Sequence, residues 1–297
     1  MHRCRAGLRR SGPDRALSRA RRADSETGPL NRGWRLLATA VAFTSFGLGG
    51  IVLGMTVFPA LMLVTRDADR LRHRSQRIVS LAFATFVWWM KTLGLLSYEI
   101  RGRDKLQAPG QLIIANHPSL IDVVFLISLI RHTDCVIKQP LLHNPFTRWA
   151  TRSAGYIGNS ESAQLVEQCS SALRAGRSLL IFPEGTRTVP GRPIRLQRGT
   201  ANIALRAVDE IRPVLIRCEP STLTKAEPWY LIPRRKPHWI IEVREPFSLS
   251  PFRAGDLPRP AAARQLTRFI EDYLGREVGT LAPRPATGGA RAGSAIG

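Results

Sequence analysis

From Leu36 to Val64 the chain carries no charged residue, and this run constrains everything around it. It exceeds the ~20 residues a helix needs to cross a bilayer. It is too long, and follows too long a polar segment, to be a typical signal peptide, so it reads as a membrane anchor. Trp34 and Arg35 stand at its start as an interfacial pair. Gly47, Gly49, Gly50 and Gly54 loosen it, and Pro59 can bend it. A second apolar run, Ile78 to Leu96, is interrupted only by Lys91. The segment between the two runs, Arg66 to Arg77, is basic, as are residues 1–33. The positive-inside rule puts both basic segments on the cytoplasmic side. One crossing cannot do that, whereas a re-entrant hairpin bent near Pro59 can. The second run, with Trp88, Trp89 and Lys91, then suits a helix lying in the interface; the alternative is a core helix of the following domain.

Charge points the same way. Lys and Arg number 44 against 22 Asp and Glu, a formal net charge of +22. Such a field attracts polyanions, either nucleic acid or an anionic membrane surface. No zinc finger, RRM or P-loop signature is present, and the apolar runs favour the membrane. Residues 1–33 have no hydrophobic period and read as a basic disordered tail. Four cysteines, Cys4, Cys135, Cys169 and Cys218, are too few and too scattered for a disulfide framework or a metal cluster, and read as buried free thiols.

From Tyr98 the pattern becomes short apolar runs alternating with helical ones. Strands are expected at 98–101, 111–115, 135–138, 156–158, 178–182, 214–218 and 239–243. Helices are expected at 119–130, 140–152, 160–175, 200–208 and 260–274. Alternation of this kind argues for an α/β domain with a largely parallel sheet flanked by helices, preceded by N-terminal membrane-associated helices. The expected organisation is a tail at 1–33, membrane-anchoring helices at 34–97, a catalytic domain at 98–277 and a second disordered tail at 278–297.

Two stretches carry chemistry. In Asn116-His117-Pro118-Ser119-Leu120-Ile121-Asp122, a His follows a strand and an Asp follows five residues later. A neutral imidazole can take a proton from an alcohol near neutral pH, and a carboxylate can fix its tautomer. Ser119-x-x-Asp122 also resembles a capping box, with Ser119 as the helix N-cap, and the two readings are compatible. The second stretch, Phe182-Pro183-Glu184-Gly185-Thr186-Arg187, follows the strand at 178–182, where α/β sheets hold ligands. Arg187 offers a planar fork suited to phosphate, and Glu184 can hold that Arg or bind a hydroxyl. The alternative is a surface turn with a salt bridge. Lys138, at the end of its strand, can face the same site. Arg195 and Arg198 read mainly as solvated charges, and His132 and His143 as residues of exposed loops.

The two stretches, in this order and roughly sixty residues apart, resemble the lysophospholipid and glycerolphosphate acyltransferase family, of the 1-acylglycerol-3-phosphate acyltransferase type. The N-H-x-x-x-x-D block stands at Asn116 to Asp122, the F-P-E-G-T-R block is complete at Phe182 to Arg187, and Pro213-Val214-Leu215-Ile216 looks like a further block. The resemblance covers about residues 98–250. It implies transfer of an acyl chain from a coenzyme A or acyl-carrier-protein thioester to a lipid hydroxyl, with His117 as general base and Asp122 orienting it. Glu184, Gly185, Thr186 and Arg187 would bind the acceptor, with Lys138 as a further contact. No cofactor or metal is implied beyond the thioester co-substrate. The implied partners are the lipid acceptor, the acyl donor, acyl carrier protein where it carries that donor, and the anionic surface of the cell membrane, with the catalytic domain facing the cytoplasm. The family's middle block usually carries Gly, a Phe-Ile pair and a phosphate-binding Arg. Here Gly155-Tyr156-Ile157-Gly158-Asn159-Ser160-Glu161 has no Arg, so a specialised glycolipid or peptidolipid stays open beside lysophosphatidate.

Rival readings are a lipid-ester hydrolase using the same His-Asp pair and a basic membrane- or nucleic-acid-binding protein without catalysis. A serine hydrolase is disfavoured, since no G-x-S-x-G elbow occurs.

Overall fold

The computed structural model describes residues 29–145, 147–159, 163–225, 227–254 and 257–282. Its centre is an eight-stranded sheet of β1 (Ser97–Arg101), β2 (Leu112–Ala115), β3 (Asp134–Lys138), β4 (Ile157–Asn159), β5 (Leu179–Ile181), β6 (Glu210–Glu219), β7 (His238–Val243) and β8 (Phe247–Ser248). The order is β1-β7-β6-β2-β5-β3-β4, with β8 paired to the start of β6. Strands β6, β2, β5, β3 and β4 are mutually parallel. β7 is antiparallel to β6 and carries β1 parallel to itself. The sheet is therefore largely parallel, as the alternating pattern predicts.

Helices cover both faces, which is why β2 and β5 read as unbroken apolar runs rather than alternating ones. On one face lie α3 (Ala68–Thr92) and α4 (Asp122–Leu129), which bury Val79, Phe86, Phe125 and Leu126 against Ile113, Leu180 and Ile216. On the other lie α7 (Ala163–Arg174), α8 (Gly199–Ala207), the short α9 (Ser250–Arg253) and α10 (Arg259–Thr280), packed on the cluster of Leu112, Ile114, Leu179 and Leu215. Neighbouring residues of β2 thus alternate between two cores, as strand geometry requires.

The N-terminal apolar run forms α1 (Pro29–Val52) and α2 (Phe58–Val64), joined by a π-helical turn at Leu53–Val57. The described stretch Asn31–Val64 is long and apolar enough to cross a membrane, and little of it is covered by the rest of the molecule. Pro59 sits at the start of α2 and does not reverse the chain. Proline has no N–H to give the preceding turn, and the π turn absorbs the defect, the Phe58 N–H reaching the Leu53 carbonyl five residues back. The reversal comes later, between Thr65 and Asp67, where Asp67 caps α3 by accepting from the Arg70 N–H at 2.7 Å. Phe46 of α1 meets Phe83 and Phe86 of α3, so the two form a hairpin.

Three further expectations change. The second apolar run is a core helix rather than an independent interfacial anchor: α3 buries Ser75, Gln76, Val79, Val87 and Met90, leaving Leu81 and Trp88 exposed. The single helix expected at 140–152 is two, α5 (Pro140–His143) and α6 (Arg148–Ser153). Asn144 precedes Pro145, and the proline ring forces it out of the helical region to ψ 125. The terminal tails are shorter than expected. The chain is helical from Pro29, α10 runs to Thr280, and Leu281 is buried; the Leu281 and Ala282 carbonyls accept from Arg217 and Arg101. The rest of both tails lies outside the described residues. Cys135, Cys169 and Cys218 are buried free thiols, and burial pushes the first two up to about 12. Cys4 lies outside the described residues.

Candidate active site

β2 and β5 are adjacent and parallel, so the segments after Ala115 and Ile181 leave the same edge of the sheet side by side. Open α/β sheets hold ligands at that edge. Asn116 extends the β2–β6 pairing with its side chain: Nδ2 donates to the Ile216 carbonyl at 2.7 Å and Oδ1 accepts the Ile216 N–H at 2.8 Å. The amide thus acts as a structural staple that fixes where the next residue starts.

That residue is His117. Its Nδ1 lies 3.0 Å from Asp122 Oδ2. Asp122 is the first residue of α4, and its carboxylate also accepts the Ser119 N–H at 2.6 Å and the Trp239 Nε1–H at 3.1 Å. Three donors surround one wholly buried carboxylate. Burial pushes the Asp122 carboxyl above its ordinary value, while the bonds from His117, Ser119 and Trp239 pull it down. An acceptor on this side places the imidazole proton on Nδ1 and leaves Nε2 with a lone pair. The His117 side chain is 14% exposed where that of Asp122 is 0%, so the imidazole is the member of the pair open to a substrate. The Phe182 ring lies against it, with centroids 4.5 Å apart.

Half of the capping box is present. The Asp122 carboxylate reaches back to the Ser119 N–H, but the helix begins at Asp122, and the buried Ser119 hydroxyl has no partner among the described residues. Ser119 is thus not the N-cap. A tight turn, with the Asp122 N–H on the Ser119 carbonyl, separates it from α4.

The second stretch supports the first. Glu184 is buried, and its Oε1 accepts from the His117 backbone N–H at 3.0 Å and from the Thr188 hydroxyl at 2.6 Å. The Thr188 N–H returns to the His117 carbonyl at 2.7 Å. Burial raises the Glu184 carboxyl, against the pull of Thr188 and the His117 N–H. Glu184 therefore clamps the His117 backbone and makes no ion pair with Arg187. Arg187 Nη1 instead donates to the Leu223 and Thr224 carbonyls, both at 2.8 Å. Gly185 turns the chain at φ +65, a region that costs a side chain strain, and a Cβ there would crowd Gln197 at 3.3 Å. Thr186 is half-buried beside it. Lys138 ends β3 on the same sheet edge with its side chain exposed. One strand, β5, separates it from β2, which places it about 10 Å from the His117 strand. Arg198 is exposed, and Arg195, 82% exposed, lies 3.9 Å from Glu271. Among the described residues, no three His, Cys, Asp or Glu side chains gather at metal-binding distance.

Two contributors were not legible in the sequence. Trp239 looked like one more apolar strand residue. Leu223 adopts φ +54, and its carbonyl accepts from both the Leu120 N–H and Arg187, tying the two motif loops together.

Residues 97–217 match the family model described as acyltransferase. The matched segment holds β1 through most of β6, and with them both motif loops. A 1-acyl-sn-glycerol-3-phosphate acyltransferase of Pseudomonas aeruginosa is 29% identical over 134 residues, covering 43% of this chain and 52% of that protein. A lyso-ornithine lipid O-acyltransferase of the same organism is 30% identical over 178 residues, covering 57% and 64%. The chain thus spans between half and two-thirds of the length of these relatives. The solved 1-acyl-sn-glycerophosphate acyltransferase of Thermotoga maritima shares the fold, with a TM-score of 0.61 at 18% identity over 84% of this chain and 98% of that one.

Replacing Trp239 by Phe keeps an aromatic ring and removes the donor to Asp122. A hydrogen bond to a charged group contributes about 1.5–3 kcal/mol, so a loss of roughly tenfold or more in kcat is expected, with KM little changed. Losing a donor that lowers the Asp122 pKa raises it further. The ionised carboxylate then persists only at higher pH, and the acid limb of the kcat profile should move upward. An unchanged acid limb would show the tryptophan to be packing alone.

Proposed function

We propose that this chain is a membrane-bound O-acyltransferase that moves an acyl chain from a coenzyme A or acyl-carrier-protein thioester to the hydroxyl of a lysophospholipid-like acceptor, foremost 1-acylglycerol-3-phosphate. The observation that carries this reading is the His117–Asp122 pair, 3.0 Å apart, on the sheet edge shared with the Glu184–Arg187 loop. His117 Nε2 takes the proton of the acceptor hydroxyl as its oxygen attacks the thioester carbonyl carbon. Asp122 holds the tautomer and stabilises the imidazolium. The tetrahedral intermediate collapses, the C–S bond breaks, and the imidazolium returns its proton to the departing thiolate. Ester and free thiol result, with no covalent enzyme intermediate. The apolar helix through Asn31–Val64 holds the domain at the bilayer, where the lipid acceptor resides.

A second acceptor follows from two observations. The lyso-ornithine lipid O-acyltransferase matches this chain at 30% identity, as high as the 29% of the Pseudomonas 1-acyl-sn-glycerol-3-phosphate acyltransferase. The block at Gly155–Glu161 also lacks the arginine that the family uses for phosphate. Membranes containing the protein should be given a labelled acyl thioester with 1-acylglycerol-3-phosphate or with lyso-ornithine lipid, and the products followed by mass spectrometry. Transfer to the first supports the main reading and transfer only to the second supports the alternative. Release of free acid alone, with neither acceptor acylated, would make the protein a thioesterase.

Arg187 separates binding from structure. Its Nη1 is committed to two carbonyls, so Arg187→Ala should loosen the 220–224 loop as well as weaken anion binding. We expect acceptor KM to rise about tenfold or more and the midpoint of thermal unfolding to fall. A lower midpoint with unchanged KM would assign the residue to the loop alone.

A further inference from the structure

The loop between β6 and β7 runs back along α1. At one end Arg35 of α1 donates to the Pro233, Arg234 and Arg235 carbonyls. At the other the Trp229 ring lies 6.3 Å from that of Phe43. Eight residues of helix, about 12 Å of axis, separate these two contacts, and over that distance the loop changes character. Beside Arg35 it exposes Arg234, Arg235 and Lys236; toward Phe43 it exposes Trp229, Tyr230 and Leu231. Leu36, Leu37 and Val41 of the same helix are also exposed.

We propose that residues 228–236 form a second membrane contact, an amphipathic loop that enters an anionic leaflet beside α1. The occupant is argued from charge and from the helix. Cations lie level with the polar start of α1, where phosphate groups would stand, and Trp and Tyr lie further along its apolar length, as interfacial aromatics do. The inference rests on the reading of α1 as a membrane helix. Its consequence is mechanical. The same loop includes Leu223 and Thr224, whose carbonyls hold Arg187, the Leu223 carbonyl also accepting the Leu120 N–H, so the loop that meets lipid also ties down the motif loops.

The test uses the full chain carrying Cys4→Ser, in which the remaining cysteines are buried, with an environment-sensitive fluorophore on Leu231→Cys or, separately, on Leu48→Cys in α1. Vesicles of phosphatidylglycerol or of phosphatidylcholine are then added. Blue-shifted emission from the Leu231 position on phosphatidylglycerol, weaker on phosphatidylcholine and reduced by salt, supports the proposal. Each basic residue near an anionic surface contributes on the order of fivefold, so Arg234→Ser with Lys236→Ser should weaken the insertion roughly twenty-five-fold. Water-like emission at Leu231 with lipid-like emission at Leu48 overturns the loop proposal and leaves the membrane helix standing. Water-like emission at both positions overturns both. A Leu231 shift that appears without vesicles and grows with protein concentration also overturns it, and assigns the surface to a second copy of the chain.

Discussion

Replacing His117 by alanine should lower kcat by on the order of 10²–10⁴, the range that a positioned general base supplies, and leave a folded, membrane-bound protein. The fold should survive because the loop is held by the backbone of His117 rather than by its ring. Its N–H is taken by Glu184 and Thr188, and its carbonyl by the Thr188 N–H. The ring contributes the bond to Asp122 and a face against Phe182. Asp122 keeps its bonds from Ser119 and Trp239 when that ring is gone. The loss of one such bond costs about 1–3 kcal/mol, which a domain of this size absorbs. Assaying the variant in membranes, beside its thermal unfolding, separates the two effects. Retained turnover would remove His117 from the mechanism. Lost turnover with an unfolded domain would leave the role undecided, and His117→Gln, which keeps a polar side chain beside Asp122, then provides the folded comparison.

The motifs could be read from the sequence because each is local: a strand end, a turn, then a helix start or a glycine bend. The α/β pattern does not announce that β5 inserts between β2 and β3, and this adjacency brings His117 beside Glu184 across 67 residues. What each motif residue does was harder to read. Glu184 and Arg187 suggested a carboxylate–guanidinium pair. The fold sends one to the His117 backbone and the other to the Leu223 and Thr224 carbonyls, since both motif loops must be tied down against a third. That third loop has no regular period, and the left-handed Leu223 in it carries no glycine to announce it. Trp239 is invisible for a different reason. It arrives from β7, 117 residues beyond Asp122, and an indole in an apolar strand has no local mark of whether its N–H is spent on a carboxylate. The apolar half of α3 was legible, but its start at Ala68, inside the basic segment, and its burial were not. Its apolar residues suit lipid and core equally, and only α4 lying against it decides.

The largest effect after loss of the base is expected from Asp122→Asn. Two donors, His117 Nδ1–H and the Ser119 N–H, meet on Oδ2, and the Trp239 Nε1–H meets Oδ1. An amide has one acceptor oxygen and one donor nitrogen, so neither orientation can satisfy all three. With its oxygen toward His117 and Ser119, its NH₂ abuts the Trp239 N–H. Flipped, it satisfies Trp239, opposes the Ser119 N–H, and makes His117 accept at Nδ1. The imidazole proton then sits on Nε2, where no base remains for the acceptor hydroxyl. In the analogous His–carboxylate pair of serine proteases this change costs about 10⁴ in kcat through the wrong tautomer, and about 10³–10⁴ is expected here. The geometry makes a sharper demand on the double variant. Trp239→Phe removes the donor that opposes the productive orientation, so Asp122→Asn with Trp239→Phe should be more active than Asp122→Asn alone, although Trp239→Phe by itself lowers activity. A sign reversal of this kind arises only if the indole and the imidazole compete for one side chain. Additive losses in the four-member cycle, measured as kcat at fixed pH, would mean that Trp239 does not orient Asp122.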